Sequence, residues 1–295
     1  MLDSGRIGAR LVAQAAPGVP VAAFVRGRTP DEVLDLLPRL FNLCRAAQGA
    51  AVAAALGRPV DTSGIASDIL RDHLLKFLVT WPGSIGCSPQ PFPSGWAAGG
   101  PALLQALFGD SSVAPATRIE FERFLGGGSP LAAPLRAIRS AFAPGEAVAL
   151  ALPEVTPANI FADRRIENSV AARHAGHPVM QAIEAEHGRG PLWRSAARLY
   201  DIEAAAQGRL PAVQSGEGWA MVPAARGGYA VRLTLSGGRV ESLDRVTPTD
   251  ALLAPDGLLD QSLATLPPAK AGLGALLLDI LDPCSPVRLK EARDA

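Results

Sequence analysis

The sequence predicts a mainly helical α+β protein with a small β portion. Apolar positions recur at helical spacing along most of the 295 residues, and several of these segments open with capping residues. Between residues 216 and 246 the apolar period changes to two, which is typical of strands. With 48% apolar and 19% charged side chains the chain can bury a sizeable core, so disorder is excluded. We expect a single domain over residues 1–295.

The chain is expected to begin with two short strands, over residues 6–14 and 19–25, because the first alternates and the second is rich in small and β-branched side chains. A helix is then predicted to start after Thr29. The Thr29 hydroxyl can cap it, Pro30 occupies its first position and Glu32 stands three residues after the cap, which together make a capping box.

A second helix is predicted over residues 42–56. Asn42 would cap this helix, Gly57 would end it, and Cys44 would lie in its first turn. Pro38 is expected to kink or end the helix before it, because proline lacks the backbone donor that a helix interior needs.

The remaining elements are predicted from the same signals. Residues 61–63 can cap a helix with one apolar face, and the Pro- and Gly-rich segment 81–100 is predicted to be a loop. Strands over residues 229–235 and 239–243, joined by Ser236-Gly237-Gly238, predict a β-hairpin. Further helices are predicted over residues 101–108, 117–125, 131–142, 178–187, 191–207 and 270–281.

The charge pattern argues against nucleic acid and membrane partners. The 28 Lys and Arg residues balance 28 Asp and Glu residues, and no local basic patch stands out. The longest uncharged stretch, residues 77–109, is interrupted by prolines, so it is not a membrane span. No apolar run of signal-peptide length follows Asp3 and Arg6, so we expect a cytoplasmic protein whose cysteines stay reduced.

The three cysteines, Cys44, Cys87 and Cys284, are too few for a four-thiolate metal site and form no C-x-x-C pair. Cys87 lies in a Gly/Pro-rich loop and is expected to be structural or incidental. The contexts of the other two are informative. They are Arg39-Leu40-Phe41-Asn42-Leu43-Cys44-Arg45-Ala46-Ala47-Gln48 and Asp282-Pro283-Cys284-Ser285-Pro286-Val287.

These segments resemble, in degraded form, the two cysteine motifs of the nickel–iron hydrogenase large subunit, R-x-C-G-x-C-x-x-x-H and D-P-C-x-x-C-x-x-H. Arg39 matches the leading arginine, Cys44 the second cysteine of the first motif, and Cys284 the first cysteine of the last motif. One thiol of each pair is therefore retained. The replaced positions are Phe41 and Val287, in place of cysteines, and Gln48 and Lys290, in place of histidines.

The resemblance extends beyond the cysteines. Residues 223–227, the hairpin after them and residues 246–249 are similar, in the same order, to the E-A-P-R-G segment, hairpin and V-x-P-[ST] segment of those subunits. Residues 167–203 also resemble the family's G-P-L-A-R helix pair. The ordered set of matches covers about half of the chain and is more specific than any single match.

The closer match is the accessory class related to this subunit, the hydrogenase formation proteins of the HupK/HoxV class. The resemblance implies a degenerate, shortened nickel–iron hydrogenase large-subunit-like fold and a non-catalytic maturation scaffold or chaperone. Its cargo would be the Fe(CN)2CO unit, bound transiently, whose iron carries two cyanides and one carbon monoxide. Cys44 and Cys284 would bind the iron, while Arg226 and Thr249 would donate hydrogen bonds to the cyanides.

The same resemblance implies partners and excludes a metal. A complete nickel–iron site needs four soft thiolates and this chain supplies two, so no nickel is expected. The expected partners are the hydrogenase maturation chaperones, above all the small one that delivers the iron unit, and the immature hydrogenase large subunit.

Charged groups near Cys44 and near Thr249 affect the expected properties of this site. We expect the pKa of Cys44 to be lowered, because the first turn of a helix and the adjacent Arg45 both favour a thiolate. Asp250 stands in place of a family threonine and would bring an extra anion near an anionic ligand set.

Two alternatives are kept. One is a pure interaction protein, a large-subunit mimic that recruits maturation factors without binding metal. The other, an active or nickel-binding hydrogenase, is disfavoured by Phe41 and Val287, and by Ser4-Gly5, which stands where the family has a proton-relaying glutamate followed by glycine.

The histidines offer one competing metal site. His174, His177 and His187, with Glu184, could bind zinc or transiently nickel, since imidazole suits both. Pro178 separates the first pair from the helix that carries the other two residues, so these side chains need not converge. Solvated helix ends are the alternative interpretation.

Overall fold

The computed structural model describes residues 10–41 and 43–291. About half of the chain is helical and its two sheets are small, which confirms the prediction of a mainly helical α+β protein. Strand β1 (Leu11–Ala15) lies at the end of the segment predicted as the first strand. Residues 6–9 of that segment, Asn42 as a helix cap and the pair Ser4-Gly5 lie outside the described residues.

The predicted strand over residues 19–25 is wrong, because this segment contains a short helix, α1 (Val21–Val25). Val21 and Val25 are buried, whereas the three residues between them are exposed. A strand would have put Ala23 on the same face as both valines. Burial at a spacing of four residues therefore outweighs the β propensity of this segment.

The capping box at Thr29 is confirmed. Helix α2 (Pro30–Leu40) begins with the Thr29 hydroxyl accepting from the backbone of Glu32 at 3.3 Å, while the Glu32 carboxylate accepts from the Thr29 backbone at 2.8 Å. The helix continues two residues beyond Pro38 before it ends. Helix α3 (Arg45–Ala55) follows and packs against α2.

The next helix is longer than its sequence pattern predicts. Helix α4 (Ser63–Leu75) continues through a π-helical turn (Lys76–Thr80) into α5 (Trp81–Ser84). The start of the predicted 81–100 loop is therefore helical, because the fully buried Trp81 ring anchors that turn in the core. The following helices are α6 (Gly100–Phe108), α7 (Arg118–Gly126), α8 (Ala132–Ala141), α9 (Val170–His174), α10 (Pro178–His187) and α11 (Pro191–Ala206).

Helix α11 lies at the centre of the molecule. It is buried along almost its whole length and contacts α4, α6, α8, α9 and α10. Three charged side chains on this helix, Arg194, Arg198 and Asp201, are buried with it. Buried charges of this kind need partners: Arg194 pairs with Glu167, and the partners of the other two belong to a network described below.

The larger sheet confirms the predicted hairpin. Its four antiparallel strands follow chain order: β2 (Gln214–Gly216), β3 (Trp219–Ala224), β4 (Gly227–Ser236) and β5 (Arg239–Val246). The turn between β4 and β5 contains Gly237 and Gly238, both with positive φ, a backbone conformation that glycine adopts without strain.

The carboxyl-terminal part returns the chain to its beginning. Its elements are α12 (Pro248–Leu252), α13 (Leu258–Ala264), a 3-10 turn (Pro268–Leu273), α14 (Gly274–Leu281) and β6 (Val287–Glu291). Strand β6 pairs antiparallel with β1, an interaction that the sequence analysis missed. None of the described helices combines the length and the apolar character that crossing a membrane requires.

Candidate functional site

Cys44 and Cys284 border one cavity of about 720 Å³. The two residues are 240 positions apart in the sequence, and both are free, half-buried thiols. Cys44 lies at the N-cap of α3, one residue before the first turn in which it was predicted, and has a left-handed backbone with φ 53°. The fold thus places the two predicted metal ligands at the same cavity.

The pairing of β1 with β6 explains how Cys284 reaches this position. The chain leaves α14 at Asp282, whose φ of 55° reverses its direction. Beyond Cys284, the carbonyl of Pro286 accepts from Ala16 at 2.9 Å at the start of the β1–β6 ladder. Residues 16–19 and 284–286 therefore border the cavity together, as does Cys44.

Arg226 lies in the tight turn between β3 and β4 and is held by two buried carboxylates. Its Nη1 donates to Asp72 at 2.8 Å and lies 3.9 Å from the sulfur of Cys44. Its Nε donates to the backbone carbonyl of Asp282 at 3.1 Å, and Nη2 donates to the Asp282 carboxylate at 3.3 Å. Burial acts to lower the pKa of Arg226, but Asp282 and Asp72 outweigh it and raise that pKa above its usual value.

The turn that carries Arg226 depends on glycine. Gly227 has a φ of 149°, and a Cβ at this position would meet the side-chain and backbone oxygens of Asn168 at 2.6 and 2.8 Å. Asn168 binds the backbone of Gly228 in both directions, accepting at 2.7 Å and donating at 2.9 Å. These contacts fix the direction in which the Arg226 side chain leaves the backbone.

Thr249 contacts Cys284 directly. Its hydroxyl donates to the Cys284 sulfur at 3.0 Å and accepts from the Cys284 backbone at 2.8 Å. Thr249 is in the first turn of α12, which starts with a capping box between Thr247 and Asp250. The Asp250 carboxylate accepts from the Thr247 backbone at 2.6 Å and from its hydroxyl at 2.8 Å, so this extra anion is committed to the helix start.

The expected lowering of the Cys44 pKa is wrong. Burial raises the pKa of this thiol, and Arg226 opposes the shift without cancelling it. Two features explain the difference. The Arg226 guanidinium is already neutralised by two carboxylates, and Arg45 directs its Nε to the backbone carbonyl of Phe41 at 3.3 Å. The direction of this shift favours the protonated thiol.

A buried ionic network behind the cavity was missed by the sequence analysis. Asp282 accepts from Arg198 at 3.2 Å and pairs with Lys76 at 3.0 Å. Arg198 also binds Nδ1 of His73 at 2.8 Å, and Nε2 of His73 binds Asp201 at 2.6 Å. An arginine only donates, so Nδ1 of His73 accepts and its Nε2 carries the proton. The sequence signal that could have predicted this network is the presence of polar residues at buried positions in the helical patterns of α4 and α11.

The predicted histidine cluster is divided among separate roles. His174 binds Asp201 at 3.0 Å, whereas His177 caps α10 by accepting from the backbone of Val179 at 3.2 Å. His187 lies 3.7 Å from Glu186. Within residues 10–41 and 43–291, no group of three or more His, Cys, Asp or Glu side chains is arranged to hold a metal ion.

Three further polar side chains border the cavity. Arg245 stacks over the ring of Phe41, 4.5 Å from its centroid. Gln48 and Tyr229 are buried. Over the described part of the chain Oε1 of Gln48 has no hydrogen-bond partner, and the Tyr229 hydroxyl has no acceptor for its hydrogen, while Arg245 interacts with its oxygen as a donor. Cys87 is exposed and does not border this cavity.

The fold defines the class of protein: it is that of the nickel–iron hydrogenase large subunit. The Ni-Fe-Se hydrogenase of D. vulgaris Hildenborough, in its as-isolated oxidised state, superposes with a TM-score of 0.57 at 12% identity, over 95% of this chain and 96% of that chain. Its reduced state gives a TM-score of 0.54 at 14% identity, over 95% of this chain and 97% of that chain. At this identity the likeness establishes the fold alone.

Sequence comparison identifies the family. The chain is 47% identical over 290 residues to the hydrogenase expression/formation protein HupK of Rhodobacter capsulatus. The aligned residues cover 98% of this chain and 96% of the relative. No protein-family model matches the chain. The chain therefore belongs to the HupK family of hydrogenase expression/formation proteins, and the resemblance that the cysteine segments indicate is confirmed.

Proposed function

We propose that this protein is a non-catalytic formation factor for nickel–iron hydrogenase that holds or transfers the Fe(CN)2CO unit through Cys44 and Cys284. The observation that carries the proposal is the meeting of two free thiols, far apart in the sequence, at one cavity. Two thiolates added to two cyanides and one carbon monoxide give iron five ligands. The cavity therefore offers two of the three ligands that a six-coordinate iron in such a unit still lacks.

The hydrogen-bond donors around the cavity fit this cargo. An Fe(II) unit with two cyanides and two thiolates carries a net negative charge. Arg226 and Arg245 border the cavity, and Arg226 is held beside the Cys44 sulfur. The Arg226 guanidinium can donate to a cyanide nitrogen, as can the Thr249 hydroxyl beside Cys284. We therefore propose these two side chains as the ligand-binding residues of the site.

The donor set does not favour nickel. Within the described residues the cavity presents two thiols, whereas nickel held as in a complete nickel–iron site needs four soft thiolates. Reduced thiols are also needed for either metal, which is consistent with a cytoplasmic location. The protein would receive its cargo from a hydrogenase maturation chaperone and pass it to the immature large subunit.

Infrared spectroscopy tests the proposal on protein purified without oxygen from a host that makes the iron unit. The wild type should show cyanide and carbonyl stretching bands, and Cys44→Ala and Cys284→Ala should each lose them. Cys87→Ala is the matched control, because this thiol is exposed and outside the cavity. Bands that survive both cavity substitutions would contradict ligation by these cysteines.

A second candidate function rests on the fold itself. Likeness to hydrogenase large subunits extends over 95% of the chain, so the protein could recruit maturation factors as a mimic without binding metal. The mimic predicts no bands in the wild type and normal hydrogenase maturation with the double alanine variant. Cargo binding predicts bands in the wild type and failed maturation with the double variant.

A further inference from the structure

The hydroxyl of Tyr229 is a buried polar group whose hydrogen has no acceptor. Tyr229 lies on β4, is 3% exposed and borders the same cavity as the two cysteines. The Arg245 guanidinium interacts with the phenol oxygen as a donor, and over the described part of the chain no acceptor is within hydrogen-bond distance of the hydroxyl. Most buried hydroxyls are paired, because an unpaired one loses its bonds to water without compensation. A hydroxyl hydrogen without an acceptor at a cavity is therefore available to a ligand that occupies the cavity.

The position of this hydroxyl is fixed by the sheet. Tyr229 stands opposite Val222 in the β3–β4 ladder, three residues after Arg226. The Arg245 guanidinium acts on its phenol through its charge and a hydrogen bond, and thiolates at Cys44 and Cys284 would act on it as well. The phenol group and both sulfurs that would hold the iron thus border one cavity.

The second unpaired atom at the cavity has the opposite character. The amide of Gln48 donates from Nε2 to the carbonyl of Leu43 at 2.8 Å, which leaves Oε1 as an acceptor only. A cyanide nitrogen also only accepts, so it cannot pair with this oxygen. The Tyr229 hydroxyl can donate, and a positive guanidinium nearby does not compete for its hydrogen, since arginine has no acceptor.

We propose that Tyr229 donates a hydrogen bond from its hydroxyl to a cyanide nitrogen of the iron unit, as a further cargo-binding residue beside Arg226 and Thr249. This inference rests on the proposed function. Cyanide is the anionic ligand of the unit and a stronger acceptor than carbon monoxide, so a single donor pairs with it preferentially. Burial raises the pKa of Tyr229 above its usual value, and Arg245 opposes this shift without cancelling it, so the phenol retains the hydrogen that it donates.

Tyr229→Phe removes this hydroxyl and leaves the ring in place. In the infrared experiment the variant should retain the cyanide and carbonyl bands, and at least one cyanide band should shift. Transfer to D2O should shift the same band in the wild type, because the donated hydrogen exchanges, and should shift it less in the variant. Thermal melting of both proteins shows that the variant is folded.

The chain supplies a matched control. Tyr200 is the other of its two tyrosines and is about equally buried. It does not border the cavity, and its hydroxyl donates to the carbonyl of Pro115 at 3.0 Å. Tyr200→Phe should leave every band in place. Wild-type bands with an unshifted Tyr229→Phe spectrum would overturn this inference and leave the proposed function standing. A wild type without bands would overturn both.

Discussion

The hydroxyl of Thr249 binds Cys284 twice, donating to its sulfur at 3.0 Å and accepting from its backbone at 2.8 Å. One side chain thus fixes both the backbone and the sulfur of a residue that follows a left-handed turn at Asp282. The contact joins the start of α12 to the segment between α14 and β6. Because those segments are 35 residues apart in sequence, the position of the Cys284 sulfur depends on tertiary packing.

Thr249→Val should weaken this junction. Valine matches threonine in shape but leaves the Cys284 backbone without its acceptor, at a cost of about 1–3 kcal/mol in the free energy of unfolding. The cyanide and carbonyl stretching bands should also lose intensity, because the Cys284 sulfur loses the hydrogen bond that positions it. Urea unfolding and infrared spectroscopy measure the two effects. Thr249→Ser retains the hydroxyl and is the control, so equal behaviour of both variants would contradict a role for the hydrogen bonds.

Arg226→Lys should destabilise the protein although it preserves the charge. A lysine ammonium cannot span Asp72 and Asp282 as the guanidinium does, so one of the two buried carboxylates loses the arginine and keeps only its other partners. We expect a loss of about 1–3 kcal/mol in the free energy of unfolding. Arg232→Lys is the matched control, because that arginine pairs with Asp244 on the surface at 3.0 Å. An exposed pair contributes about 0–1 kcal/mol. Similar urea midpoints for the two variants would contradict the bridging role of Arg226.

Local signals were sufficient for the elements that depend on neighbouring residues. The capping box at Thr29 and the glycine turn between β4 and β5 were predicted because their hydrogen bonds lie within a few residues. The segment 19–25 was misassigned because its helix is decided by which face the molecule buries. Pairing of β1 with β6 joins the two ends of the described chain and carries no local signal.

The site shows the same division. Motif resemblance pointed to Cys44, Cys284, Arg226 and Thr249, and the fold places all four around one cavity. The pKa of Cys44 was predicted in the wrong direction because neither its burial nor the neutralisation of Arg226 is visible in the sequence. The single domain over residues 1–295 stays a prediction.

Removing the two tyrosine hydroxyls should have different effects on protein that carries no cargo. Tyr229→Phe removes a buried hydroxyl whose hydrogen has no acceptor, so its melting temperature should stay the same or rise. Tyr200→Phe removes a paired hydroxyl and leaves the Pro115 carbonyl without that donor, which should cost about 1 kcal/mol or more. Calorimetry of both variants provides the comparison. If Tyr229→Phe lowered the melting temperature as much as Tyr200→Phe, the Tyr229 hydroxyl would already have an acceptor in the protein.

His73 should make the stability of the protein depend on pH below the usual histidine pKa of about 6.5. Burial lowers the pKa of His73 in the folded protein, an effect that the hydrogen bond to Asp201 opposes and the charge of Arg198 reinforces. In that range the unfolded chain binds a proton at this position and the folded chain does not. The contribution of His73 to the free energy of unfolding is therefore fully present above about pH 6.5. It falls as the pH decreases, by up to about 1.4 kcal/mol per pH unit.

His73→Gln isolates this contribution. A glutamine amide can donate to Asp201 and accept from Arg198, as the neutral imidazole does, but it does not titrate. Urea unfolding of both proteins between about pH 5 and pH 8 should therefore give a steeper decline for the wild type on the acid side. Parallel curves would mean that the folded protein accepts a proton on His73. In that case Arg198 could not donate to Nδ1, and the connection from Asp201 through His73 and Arg198 to Asp282 would have to be abandoned.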